Sequence, residues 1–224
     1  MKGRPKSAFF VHFMEETLYN YLSIISSAAP SYLHELERET HLKILKPQML
    51  TGFSQGRFLS LMAKLLNSKR ILEIGTFTGY GSLCLAEGLS ENGKLITIEI
   101  SKENGWLAEK YFRQSPYFEQ IELLYGNALD LISDIAEELD LAYIDADKQN
   151  NEKYFEMIWP KIRAGGLVLI DNIFARGGVF KPEGEQKKFE KSVTEFNQKL
   201  LVMATGGKVT ILPLRDGLSI VRKE

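Results

Sequence analysis

One cysteine, three histidines and no long apolar run are the informative scarcities of this 224-residue sequence. Cys84 stands alone, so no internal disulfide can form and a thiolate metal cluster has no ligands. Its expected role is that of a small core hydrophobe. His12, His34 and His41 fall in the N-terminal segment without metal-ligand spacing and read as surface or interface residues. No apolar stretch is long enough to span a bilayer, and the N-terminus lacks the continuous apolar segment of a signal peptide. A cytoplasmic protein without a membrane partner is therefore expected. Neither sign of charge is in excess: 28 Lys and Arg stand against 29 Asp and Glu, which leaves no global attraction for nucleic acid. The basic start, Lys2, Arg4 and Lys6, is too short to read as more than a frayed terminus.

What is present is a composition that is 44% hydrophobic and 25% charged, suited to one globular domain with a small N-terminal attachment. Between His12 and about Thr40, apolar residues recur at helical spacing. Leu18, Tyr21, Leu22 and Ile25 share one face, and Leu33 and Leu36 another. Pro30 and Ser31 separate two helices, with Ser31 expected as N-cap ahead of Glu35 and Glu37. A third amphipathic helix is expected from about Ser54 to Leu66. Trp106 and Trp159 read as packing residues on later helices.

After Asn67 short apolar runs alternate with helical segments: "RILEIG", "KLITIEI", "IELLYG", "LAYID" and "GLVLID". Such alternation predicts an α/β fold with a parallel sheet and helices on both faces. At the C-terminus, "KVTIL" and "LSIVRK" are joined by only five residues, Pro213 to Gly217, too few for a parallel crossover. They form a hairpin, so the last strand is antiparallel to its neighbour.

In such a sheet ligands bind beyond the carboxyl ends of the strands. The first strand ends "LEIGTFTGYG", where Gly75, Gly79 and Gly81 permit tight turning. The spacing is not G-x-G-x-x-G, because Phe77 and Tyr80 interrupt it. A ligand without pyrophosphate does not need that turn, whereas a ribose still needs a carboxylate at the second strand's end. Glu99 closes "LITIEI" and can accept from both ribose hydroxyls. The structural alternative is a glycine turn beside a solvated glutamate. "GNALD", residues 126 to 130, follows the third strand and can lie along an adenine, while Asp130 alone reads as a helix N-terminal acid.

Together "LEIGTFTGY", Glu99, "GNALD", "YIDADK" and "GGLVLIDN" resemble the class I S-adenosylmethionine-dependent methyltransferases, specifically the cation-dependent O-methyltransferases that include caffeoyl-CoA and catechol O-methyltransferases. The resemblance extends to "SYLHELERET" and the "PLRDG" turn. It implies a Rossmann-like sheet of seven strands, mostly parallel with the last antiparallel, and extra N-terminal helices. Residues 1–53 would form a helical extension that caps the site or makes a dimer, and residues 54–224 the methyltransferase domain. It places Met49, Thr51, Glu73, Gly75, Glu99, Ala128 and Asp145 around S-adenosylmethionine, with Thr76 and Gly79 in the same loop. The chain departs from relatives at Gly81, where a serine is common, and Ser82 or a backbone amide is expected to take over that contact.

"LAYIDADKQN" crowds two carboxylates and an ammonium group at the end of an apolar strand. Asp145 at that end, with Asp171 and Asn172 at the end of the next, makes a set of hard oxygen donors suited to Mg²⁺, Mn²⁺ or Ca²⁺. An Asx turn is the alternative for the latter two. A vicinal diol such as a catechol could chelate the ion, which would stabilise the phenolate. Lys148 matches the lysine taken as general base in the family; otherwise it is a solvated helix-start residue. Asp147 fits helix capping or support of the site. Where plant relatives have a Trp-Asn pair, this chain has Ala175 and Arg176, so an aromatic wall is lost and a cation gained. The expected function is transfer of a methyl group to one hydroxyl of a small catechol-like aromatic, in a homodimer. The alternatives are a nicotinamide-dependent oxidoreductase and a non-catalytic module that binds S-adenosylmethionine.

Overall fold

The computed structural model describes residues 17–18, 20–136 and 138–224. Lys2, Arg4, Lys6 and His12 lie outside them. Seven strands form one sheet: β1 (Arg70–Ile74), β2 (Lys94–Glu99), β3 (Ile121–Tyr125), β4 (Leu139–Ile144), β5 (Ile162–Asp171), β6 (Gly207–Leu212) and β7 (Leu218–Lys223). Their order is β3-β2-β1-β4-β5-β7-β6. The first five are parallel, and β7 runs antiparallel to both β5 and β6. The C-terminal hairpin folds back so that its second strand, not its first, joins β5. Central strands are buried on both faces along most of their length, which is why Ile and Leu dominate them; the polar residues they carry, Glu73 and Thr97, are buried against each other.

The principal helices are α1 (Ser31–Lys43), α2 (Phe53–Leu65), α3 (Tyr80–Glu87), α4 (Lys102–Gln114), α5 (Ala128–Leu131), α6 (Asn151–Ile158) and α7 (Lys188–Met203). They enclose two apolar clusters, one on each side of the sheet. Leu33 and Leu36 of α1 belong to the same cluster as Leu59, Ile71 and Leu83, so the core continues across residue 53. Residues 20–25 are also helical, but Leu18, Tyr21 and Ile25 are largely exposed. His34 and His41 are exposed as expected, and Cys84 is buried.

Two local expectations need correction. Ser31 is the first helical residue of α1 rather than its cap. Pro30 occupies the cap position in an extended conformation, and its carbonyl accepts from Leu33 N at 3.0 Å. Trp106 lies 42% exposed on α4, beneath the Lys43 ammonium at 5.6 Å, while Trp159 sits in a short 3-10 turn and stacks on Phe155. No helix among the described residues is long and apolar enough to cross a membrane.

Candidate active site

The strand order reverses at β1, which has β2 on one side and β4 on the other. A crevice opens there at the carboxyl edge. Gly75 makes the close approach possible: its φ is +101°, and a Cβ would stand 2.3 Å from the Asp145 carbonyl oxygen. A cavity of about 780 Å³ occupies this edge. Of the residues expected at the site, Met49, Thr51, Gly75, Thr76, Glu99, Ala128, Asp145, Lys148, Asp171 and Asn172 line it. Parts from five successive strand ends and a segment nearly a hundred positions upstream of Asp145 therefore meet.

Glu73, Gly79 and Ser82 are not on the cavity wall. The Glu73 side chain points inward, where its Oε2 accepts from the hydroxyls of Ser82 and, at 2.6 Å, Thr97. Burial pushes its carboxyl up to about 8, against the lowering effect of those two hydroxyls. Ser82 is thus engaged by Glu73 and stands off the cavity wall. Gly81 has its own reason. A Cβ there would meet Glu73 Oε1 at 2.8 Å and Thr51 Oγ1 at 3.1 Å. Gly79 is in the left-handed region at the start of α3, packed against Phe112 and Ala108.

Glu99 lines the cavity, but its two oxygens also accept backbone N–H groups, from Phe77 at 2.6 Å and Ser101 at 2.8 Å. Loss of hydration raises its pKa, and those N–H bonds oppose the shift. The carboxylate therefore braces the glycine loop as well as facing the ligand space. Thr76 hydrogen-bonds Thr97 at 2.6 Å.

At the other end of the cavity the acids of β4 and β5 converge. The hydroxyl of the buried Tyr143 lies 3.3 Å from Oδ2 of both Asp145 and Asp171. Asp145 Oδ1 accepts from Lys148 Nζ at 2.9 Å, and Asp171 Oδ1 accepts from the Asn172 N–H at 2.7 Å. Desolvation raises the Asp145 carboxyl to about 6; Lys148 lowers it and Asp171 raises it. Desolvation, then the charges of Asp145 and Asp171, push the Tyr143 phenol well above its usual range. Asn172 has a φ of +57°, the left-handed conformation that asparagine tolerates better than most residues. Among the described residues no three His, Cys, Asp or Glu side chains converge on a point that could hold a metal ion. A cation here would rest on two carboxylates and the Asn172 amide oxygen, a donor set of the right hardness and charge for a divalent ion. Asp147 accepts from Tyr154 at 2.6 Å and Asn150 at 2.5 Å, and so ties the loop to α6.

Two contributors escaped the motif reading. Arg215, in the turn between β6 and β7, donates to the backbone carbonyls of Thr51 and, at 2.8 Å, Leu50, which clamps the Met49–Thr51 segment over the cavity. Asp216 accepts the Arg176 N–H with both oxygens, at 2.8 and 2.9 Å. The "PLRDG" turn was visible in the sequence, but nothing local showed which backbone it would reach.

The chain is similar to known proteins along most of its length. The model of the O-methyltransferase family matches residues 23–224. Caffeoyl-CoA O-methyltransferase 2 from Petunia hybrida is 30% identical over 220 residues, covering 93% of this chain and 90% of that protein. The crystal structure of an O-methyltransferase from Bacillus cereus in complex with SAH is similar with a TM-score of 0.85 and 27% identity, covering 93% and 97% of the two chains. That of the O-methyltransferase TomG from Streptomyces achromogenes, in complex with SAM, has a TM-score of 0.85 and 26% identity, covering 92% and 96%.

Proposed function

The chain belongs to the O-methyltransferase family and is an S-adenosylmethionine-dependent O-methyltransferase; from that premise we propose that it uses a divalent cation to methylate one hydroxyl of a catechol-like aromatic. The observation that carries this reading is the convergence of Asp145 and Asp171, which line the cavity together with Glu99 and Lys148, on the hydroxyl of the buried Tyr143. Two carboxylates share a single phenolic proton and one nearby ammonium group, so the pair suits a compact dication.

Asp145, Asp171 and Asn172 would hold the ion, Mg²⁺ being the first candidate and Mn²⁺ or Ca²⁺ the others. Bound there, the ion supplies stabilisation of a phenolate beside the methyl donor. Glu99 orients the donor's ribose, and Ala128 and Gly75 leave room for its adenosine and methionine parts. Lys148, held at the edge of the cation site by Asp145, accepts the hydroxyl proton when neutral. The substrate oxygen then takes the methyl group from the sulfonium, which departs as a neutral thioether. Met49–Thr51, clamped by Arg215, covers the site and excludes water. Within residues 1–53, the Met49–Thr51 segment caps the site, with the apolar stripe of Leu18, Tyr21 and Ile25 as the proposed contact between two copies in a cytoplasmic homodimer.

The test is methyl transfer to a catechol panel, read by mass spectrometry, before and after exhaustive chelation. Activity should vanish with chelator and return with Mg²⁺ or Mn²⁺, and Asp171→Ala should abolish the response while the fold persists. Full activity in excess chelator, with metal content confirmed as negligible, would refute the cation role.

A further inference from the structure

We infer that Tyr143 and Gln55 form a positioning pair for the cation site, in which Gln55 aims the Tyr143 hydroxyl between the two acids; this rests on the cation-dependent reading above. Tyr143 is on β4, two residues before Asp145, with its ring fully buried in the apolar cluster between the sheet and its helices. Gln55, on the first turns of α2, is also fully buried. Its Nε2 donates to the Tyr143 oxygen at 2.7 Å. That bond occupies the oxygen from the helix side. The phenolic proton is left to point toward the carboxyl edge, where its acceptors are Asp145 Oδ2 and Asp171 Oδ2, both at 3.3 Å.

Three features separate this from ordinary core packing. A phenylalanine would fill the same volume without burying a hydroxyl, whose desolvation is costly unless it is hydrogen-bonded. Gln55 Oε1 is buried without a partner among the described residues, a cost that an apolar side chain of similar size would avoid. Finally, each carboxylate is gripped at both oxygens, Asp145 by Lys148 and Tyr143, Asp171 by the Asn172 N–H and Tyr143. One proton between two acceptors couples their orientations, so neither carboxylate can turn without changing the bond available to the other. Groups that orient metal-ligating side chains in this way commonly change metal affinity 10- to 100-fold when removed, in order-of-magnitude terms.

Mn²⁺ binding read by electron paramagnetic resonance, with S-adenosylhomocysteine present, tests the pair without relying on turnover. Wild type, Tyr143→Phe, Gln55→Met and the double variant should be compared, with calorimetric affinity for S-adenosylhomocysteine and thermal midpoint measured on each. Tyr143→Phe should weaken Mn²⁺ by about tenfold or more and leave S-adenosylhomocysteine affinity unchanged. Gln55→Met should weaken Mn²⁺ less, because the hydroxyl remains but loses its aim. The double variant should recover thermal stability without recovering Mn²⁺ affinity, and it carries the measurement if Tyr143→Phe folds poorly. Mn²⁺ affinity within about threefold of wild type in the double variant would reduce the pair to packing and overturn the inference. Failure of wild type itself to bind Mn²⁺ would overturn the cation reading first, and is read before any variant is made.

Discussion

The ammonium group of Lys148 stands 2.9 Å from Oδ1 of Asp145, three positions earlier in the chain. Side chains of both are mostly buried, and the loop between them begins where β4 leaves the sheet. The proposed base and a proposed cation ligand are therefore one ion pair when no ligand intervenes. Removing the lysine should affect the reaction more than binding.

Lys148→Ala is expected to lower kcat by about 10²-fold, the lower end for a general base, because ionisation assisted by the cation replaces part of its work. KM for both substrates should change little. The loss should shrink as pH rises and the catechol ionises unaided. The pH profile of kcat at saturating Mg²⁺ checks this; superimposable profiles would make Lys148 a bystander.

Glu99 serves both ligand and loop, so its replacement must spare the loop. Glu99→Gln keeps one oxygen as an acceptor for Phe77 or Ser101, whereas Glu99→Ala would release both N–H groups. The amide variant is expected to lose about 1.5 to 3 kcal/mol of S-adenosylhomocysteine binding, the range for a hydrogen bond to a charged group. Isothermal titration measures it. Unchanged affinity would mean the ribose meets another group.

Arg176 lines the cavity, has a φ of +54°, and has its backbone held by Asp216. Among the described residues no ion pair engages its guanidinium within 4.0 Å. A catechol bearing a carboxylate should therefore be preferred over its neutral amide. Arg176→Ala should raise KM for 3,4-dihydroxybenzoate about five- to tenfold and leave 3,4-dihydroxybenzamide unaffected, a modest effect because the residue is exposed. Equal KM changes for acid and amide would remove the charge argument.

Glu73 predicts a pH dependence of stability. Its carboxyl is raised from 4.5 to about 8 by burial, so the folded state binds a proton that the unfolded chain has released. Stabilisation from that proton is fully present below about pH 4.5 and is lost as pH rises through about 8. Each pK unit is worth about 1.4 kcal/mol, so the total reaches several kcal/mol. Glu73→Gln should flatten the fall in stability between these limits, followed by urea unfolding at fixed pH values. A parallel pH curve for the variant would show that the carboxyl is ionised inside the fold.

Sequence alone determined the strands, their alternation with helices, the hairpin and the placement of Asp145, Asp171, Asn172 and Lys148 at one edge. Hydrophobic periodicity is local, and a parallel sheet puts every strand's C-terminal end on the same side, so the acids could be assigned to that edge without coordinates. The tertiary structure decided what each polar atom meets. It placed β7 between β5 and β6, turned Glu73 and Ser82 away from the cavity, and brought Gln55 to Tyr143 and Arg215 to Leu50 and Thr51. These partners are 88 to 165 positions apart. Their meeting depends on how side chains pack between sheet and helix, and no local period along the chain encodes that direction.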